Sequence, residues 1–260
     1  MPYCESAGLR YFKFDIFPAD LAQAVFTRRG GVSPAPWDAL NVGGTVGDEA
    51  ARVRENRRRS FDAVGRRLDS MFDVWQVHSA DVVKTRTARN PAEDYHKADI
   101  ILTDRPEVTL FMRFADCVPV LLYDPVRAVV GMVHAGWLGT VRGASRAAVE
   151  AMVAEYKCRP ADILAGIGPS IAVDHYEVGA DVLAQVRSAF GAAESELVHR
   201  REGKTYLDLW AANRMQLVRA GIEQIDVAGV CTACHTDDWF SHRAEKGKTG
   251  RFGALIALPK

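Results

Sequence analysis

The sequence has no excess of charge of either sign: Lys plus Arg and Asp plus Glu number 33 each, with 7 histidines neutral at pH 7. A balanced charge provides no field to draw in polyanions, so no nucleic-acid partner is expected. No uninterrupted apolar run approaches the ~20 residues that a membrane-spanning helix needs, because Gly, His or charge breaks each one, so no membrane partner is expected either. The opening MPYCESAGLRYFKFDIF lacks a basic start, an apolar stretch and a small-residue cleavage site, which predicts a cytoplasmic protein. Cysteine is scarce. The five, at 4, 117, 158, 231 and 234, lack the spacing of a disulfide framework and read as thiols in a reducing compartment, some of them open to metal. Repeats, low-complexity tracts and Pro/Ser-rich linkers are also missing, which predicts one domain over 1–260.

What is present is 48% hydrophobic residues in 260, enough for a substantial core. Strand-like runs fall at 24–27, 73–78, 98–103, 108–114, 118–123, 128–134, 163–167, 225–230 and 252–258. Helical spacing falls at 49–68, 139–157, 180–190 and 208–220. Some strands are consecutive and others alternate with helices, so an α/β (α+β) domain of mixed sheets covered by helices is expected. Arginines gather in EAARVRENRRRSFDAVGRRL, at 49–68, where a solvated helix face is the ordinary reading and an RNA- or phosphate-binding patch the other.

Two patterns carry chemistry. The first is CTACH, Cys231 to His235, which fits c-type haem attachment, although such attachment normally occurs outside the cytosol. A structural zinc at Cys231, Cys234 and His235 is the alternative, without a second CxxC pair to complete four ligands. The second is FADCVPVLLYDPVRAVVGMVHAGW, at 114–137, where two apolar runs flank Asp124-Pro125-Val126-Arg127 and predict a hairpin. A turn centred on Pro125-Val126 places Cys117 opposite His134, with β-carbons about 4.5–5.5 Å apart. A bulge or longer loop would break that register. His78, in DVWQVHSADVV, would complete a trio of two nitrogens and one sulfur with an open position, the form of a catalytic zinc site. The plainer reading is a buried cysteine and two structural histidines.

The chain resembles the YfiH-like family in a collinear set of motifs: TRRGGVS, LNVGGTVGD, ENRRR, WQVHSADVV, ADIILTD, ADCVPVLLYDP, VHAGWLGT, GIGPSI, YEVG, LDLWAANRMQL and CTACHTDDWFSHR. Members of that family are labelled multicopper polyphenol oxidase or laccase, or purine nucleoside phosphorylase, and some are described as peptidoglycan-editing factors. The resemblance implies a fold related to the deamidase domain of cytotoxic necrotizing factors, and a metal triad at His78, Cys117 and His134. It also implies phosphorolysis of adenosine, inosine, guanosine or methylthioadenosine, and adenosine deamination, with zinc as the metal and copper the alternative. The implied partners are purine nucleosides and phosphate, and the protein would be a monomer or small homo-oligomer.

On that footing Cys117, His78, His134 and Asp116 are the catalytic candidates, Asp116 as a proton shuttle. Arg28, Asn41, Gly136, Thr140 and Arg243 are the substrate-binding candidates, with a guanidinium fork and free backbone N–H groups to hold phosphate. Trp37, Trp75 and Trp137 would stack on a base or belong to the core. The family's C-terminal Cys-Thr stretch accounts for CTACH without haem. Three departures stand out: Ser79 and His175 where members carry Gly and Cys, and Leu138 where they carry Arg. A cysteine hydrolase using Cys117 and His134 is the rival chemistry, and a copper phenol oxidase another.

Overall fold

A computed structural model describes Tyr3 to Pro259. In chain order the strands are β1 (Tyr3–Ser6), β2 (Leu9–Phe12), β3 (Ala22–Phe26), β4 (Met71–Phe72), β5 (Val82–Lys84), β6 (Ile100–Thr103) and β7 (Thr109–Phe114). They continue as β8 (Val118–Asp124), β9 (Val129–Ala135), β10 (Leu164–Ile167), β11 (Val198–Arg201), β12 (Lys204–Leu207), β13 (Gln224–Val227) and β14 (Phe252–Ala257). The α-helices are α1 (Ala50–Ala63), α2 (Trp137–Val141), α3 (Ala144–Tyr156), α4 (Ala180–Phe190), α5 (Glu194–Leu197) and α6 (Leu209–Arg219).

Two six-stranded mixed sheets run β1-β2-β3-β14-β7-β4 and β13-β10-β8-β9-β6-β5, and β11 and β12 form a separate hairpin. Period-two alternation gives both faces of each large sheet something to bury. Val118, Val120 and Leu122 of β8 join α3 and α6 in one cluster, while Leu121 and Tyr123 meet Leu110, Met112 and Phe114 of β7 and Phe252 of β14 between the sheets. Phe111 and Leu255 turn the other way, toward Phe61 of α1. The result is a helix–sheet–sheet–helix stack. Each fully buried large apolar side chain in it contributes ~1.5–3 kcal/mol. Among the described residues no helix is long and apolar enough to cross a membrane.

The strands β1, β2, β5, β11 and β12 lie outside the expected ones, and four expected features differ in the structure. The helix expected to reach 68 stops at Ala63, because Gly65 takes φ +68°, a left-handed stop. The helix expected at 139–157 is two, α2 and α3, divided at Gly143 with φ +82°. The strand expected over 73–78 does not form: β4 ends before it at Phe72, and only an isolated bridge pairs Trp75 with Lys97. The β8–β9 register pairs Pro119, not Cys117, with His134. The cause lies in the connection. Asp124 Oδ1 accepts from the N–H groups of Val126 and Arg127 at 2.8 and 3.0 Å, and Ala128 adopts φ +51°. The loop therefore spans four residues rather than two, and the pairing slips by two. A slip of two keeps every side chain on its face, so Cys117 sits diagonally from His134 on the same side.

Candidate metal centre

Cys117 lies where the chain leaves β7 of one sheet and enters β8 of the other. Asp116 makes that crossing with φ +78°, a conformation costly for a non-glycine residue and held here by its side chain. Its Oδ1 accepts from Thr232 Oγ1 and its Oδ2 from the Arg243 N–H, each at 2.7 Å. His134 closes β9, and His78 sits in the loop between β4 and β5 with φ +59°. The ligand atoms of His78, Cys117 and His134 all lie within 4.8 Å of one another, with Cys117 Sγ 3.9 Å from His78 Nε2.

Asp99, fully buried just ahead of β6, organises the trio from behind. Its Oδ1 lies 2.7 Å from His134 Nδ1, and its Oδ2 accepts from the N–H groups of Val77 and Ser79 and from Ser79 Oγ. One carboxylate thus fixes His134 and both neighbours of His78. With Nδ1 held by Asp99, Nε2 is the nitrogen that His134 would give to a metal, its proton leaving as the metal binds. Arg142 adds a hydrogen bond to the His78 carbonyl at 3.0 Å. Gly136 lies over the group, and a β-carbon there would stand 2.8 Å from Cys117 Sγ and 3.0 Å from His78 Cδ2.

The electrostatics favour the ligating form of the thiol. Burial alone would raise the Cys117 pKa from 9.0, but the His134 charge and hydrogen bonds from His134 and His78 bring it to about 6. Burial would lower His134, yet Cys117 and the Asp99 carboxylate lift it from 6.5 to about 9. A soft thiolate with two imidazoles, one oriented by a carboxylate and all beside an open cleft, suits zinc or copper.

The cleft in front has a volume of about 1830 Å³ and is lined by the trio, Asp116, Gly136, Trp75, Trp137, Tyr176 and several arginines. Arg113 and Arg89 are committed to the buried Asp73. Arg243 uses one amino group on the carbonyls of His175 and Glu177, and Arg251 one on those of Thr249 and Gly250. The rest of each guanidinium has no hydrogen-bond partner among the described residues.

Of the substrate-binding candidates, Gly136 and Arg243 line the cleft and Arg28, Asn41 and Thr140 do not. Arg28 donates to the Asp38 and Thr236 carbonyls and to Glu245, and stacks over Phe240. Asn41 receives the N–H groups of Gly43 and Arg251, and Thr140 receives Asn213. These three brace the walls. The arginines of α1 are largely taken up by Glu49, Glu55 and Asp62. Among the tryptophans, Trp75 is exposed on the cleft, whereas Trp37 donates to the Val46 carbonyl away from it. The sequence reading assigned no role to Asp99, Tyr176 or Arg251. Asp99 and Tyr176 stand inside the quoted motifs ADIILTD and YEVG, and Arg251 shows no local signal. His235 does not join Cys231 and Cys234, whose neighbours are Asp174 and His175.

Comparison with known proteins places this geometry. A family profile described as multi-copper polyphenol oxidoreductase laccase matches residues 22–259. The purine nucleoside phosphorylase of Deinococcus radiodurans is 41% identical over 237 residues, 91% of this chain and 89% of that one. The purine nucleoside phosphorylase YlmD of Bacillus subtilis is 38% identical, with 89% and 86% covered. The crystal structure of YlmD from Geobacillus stearothermophilus superposes with a TM-score of 0.92 at 34% identity, covering 100% of this chain and 99% of that one. The crystal structure of the Bacillus licheniformis protein YfiH gives 0.91 at 35%, with 99% of each covered. Agreement in sequence and fold over nearly the whole chain shows that it belongs to the multi-copper polyphenol oxidoreductase laccase family, together with purine nucleoside phosphorylases of the YfiH and YlmD type.

Proposed function

We propose that the chain is a zinc-dependent purine nucleoside phosphorylase whose centre is His78, Cys117 and His134, with adenosine deamination as a second reaction of the same cleft. The observation that carries this reading is a thiolate–imidazole trio beside two guanidinium groups, Arg243 and Arg251, that retain unused N–H donors. A divalent cation held by the trio would supply Lewis acidity. The chain's own groups do the rest. Arg251 and Arg243 hold the inorganic phosphate in bidentate fashion. Trp75 and Tyr176 give the base apolar faces. A phosphate oxygen forms the bond to ribose C1′ as the C1′–N9 bond breaks, the electron pair leaves with the base, and the proton that hydrogen phosphate gives up passes to the base. Asp116 orients Arg243 through its backbone N–H.

The test is chromatography of inosine and adenosine incubated with zinc-loaded protein, with and without phosphate, beside Cys117→Ala. Ribose-1-phosphate formed only with phosphate and only by the wild type is the expected result. Inosine formed from adenosine needs no phosphate, but release of free base that ignores phosphate, or any turnover that survives in Cys117→Ala, overturns it.

A second reading rests on Cys117, His134 and Asp99, which stand in the order nucleophile, base and orienting carboxylate of a cysteine hydrolase, a chemistry that would suit cell-wall precursors. It predicts activity that survives chelation and dies on alkylation. Copper-dependent phenol oxidation, the chemistry in the family's description, predicts oxygen uptake with a phenol by the copper-loaded protein.

A further inference from the structure

A second cluster of metal-ligating side chains lies outside the trio. Asp174 and His175 stand in the turn after β10, Cys231 and Cys234 in the loop after β13, and their ligand atoms lie within 4.8 Å of one another. His175 Nδ1 is 3.5 Å from Cys234 Sγ, 3.9 Å from Cys231 Sγ and 3.1 Å from Asp174 Oδ1. Asp174 Oδ2 is 4.0 Å from Cys234 Sγ.

These separations are close to the edges of one tetrahedron. Zinc at ~2.3 Å from sulfur and ~2.0–2.1 Å from nitrogen sets a sulfur–nitrogen edge of roughly 3.5–3.6 Å. Buried Cys231 Sγ accepts the Ala172 N–H at 3.3 Å, which fixes the sulfur in place beside His175. Cys234, His175 and Asp174 are exposed, which leaves a path for the cation. Two thiolates and a carboxylate against a divalent cation leave one net negative charge, ordinary for a closed structural site.

We propose that Asp174, His175, Cys231 and Cys234 form a second, structural metal site that takes a zinc-class divalent cation and staples the C-terminal loop to the segment after β10. Binding releases the two thiol protons and changes no oxidation state. The staple bears on the cleft because its two segments carry cleft-wall groups. Thr232, beside Cys231, donates to Asp116. Arg243, further along the same loop, donates to Asp116 and to the carbonyls of His175 and Glu177, and lies over the Tyr176 ring.

The experiment counts metal in the full-length chain, loaded with excess zinc under reductant and freed of loose ions by gel filtration. Wild type should hold two equivalents, Cys117→Ser one, Cys231→Ser/Cys234→Ser one, and the triple variant none. His175→Ala, an exposed change, should also lose one equivalent and serves if the buried cysteine variant misfolds. Cobalt gives an independent readout: thiolate-to-metal absorption should fall by about a third in Cys117→Ser and by about two thirds in the double variant, in proportion to the thiolates removed. A single equivalent in the wild type that is lost in Cys117→Ser, two in a folded His175→Ala, or a Cys231–Cys234 disulfide persisting under reductant would each overturn the site.

Discussion

Asp99 Oδ1 lies 2.7 Å from His134 Nδ1, while the other oxygen of the same carboxylate takes the backbone N–H groups flanking His78. Two ligands from distant stretches of chain are therefore aligned by one buried side chain. Asp99→Asn keeps the shape and removes the charge, and metal ligands that lose such a partner bind about 10–100-fold more weakly. Chelator-competition titration of zinc should show that loss in the protein that stays folded, and the unfolding midpoint should fall as well, because the asparagine NH2 faces donors that the carboxylate accepted. Wild-type affinity in the variant would remove Asp99 from the centre.

Gly136 offers a steric test. A β-carbon there meets Cys117 Sγ at 2.8 Å, whereas one at Gly139, a turn away, meets nothing closer than 3.3 Å. Gly136→Ala should abolish metal at the trio and nucleoside turnover, while Gly139→Ala keeps most of both. Metal content of the two proteins, measured side by side, decides it, and equal loading would show that the cradle yields.

The metal-free protein should report its thiolate through pH. The Cys117 pKa is brought down to about 6 from 9.0 and that of His134 is raised to about 9 from 6.5. A lowered acid stabilises the fold above its unfolded pKa and loses that contribution as pH falls through about 6. A raised base contributes below its unfolded pKa and loses it as pH rises through about 9. The two shifts nearly offset each other, because folded and unfolded states each hold one proton on the pair between about 6.5 and 9, so the unfolding temperature of metal-free protein should stay flat across that range and fall only slightly as pH drops through about 6. Alkylation of Cys117 by iodoacetamide should have its midpoint at about 6 and move upward in His134→Ala. A midpoint near the ordinary thiol value would deny the pair.

The trio was legible in the sequence only in part. Two opposed apolar runs around Asp124 placed Cys117 and His134 on one face, and that survived a wrong register because the four-residue loop shifted the pairing by two, an even number. A shift of one would have parted them. Asp99 was invisible as a partner because its role depends on β6 lying beside β9, a tertiary fact without a local signature. Arg28 misled for the opposite reason: an arginine just ahead of a glycine pair reads as an anion fork, yet its donors are taken up by Asp38, Thr236 and Glu245. ENRRR likewise looked electrostatic, but its buried Asn56 ties α1 to Ser33, Ala39 and Asn41.

The contrast between Arg28 and Arg251 gives the sharpest test of the phosphate assignment. Arg251 lines the cleft and spends one amino group on two carbonyls, and burial lowers its pKa while the Cys117 and Asp116 charges oppose that shift. Its remaining donors are the ones a phosphate would use. Arg251→Met keeps most of the apolar stem, so KM for phosphate should rise at least about tenfold, corresponding to ~1.4 kcal/mol or more of lost charge-assisted hydrogen bonding, while the unfolding temperature changes little. Arg28 lies outside the cleft and holds two loops together. Arg28→Met should cost on the order of 2–3 kcal/mol in urea unfolding and leave KM for phosphate near the wild-type value in the protein that remains folded. Were the outcomes reversed, with Arg28 controlling KM and Arg251 only stability, the anion would have to bind on the TRRGG side of the molecule and Arg251 would be a bracing residue.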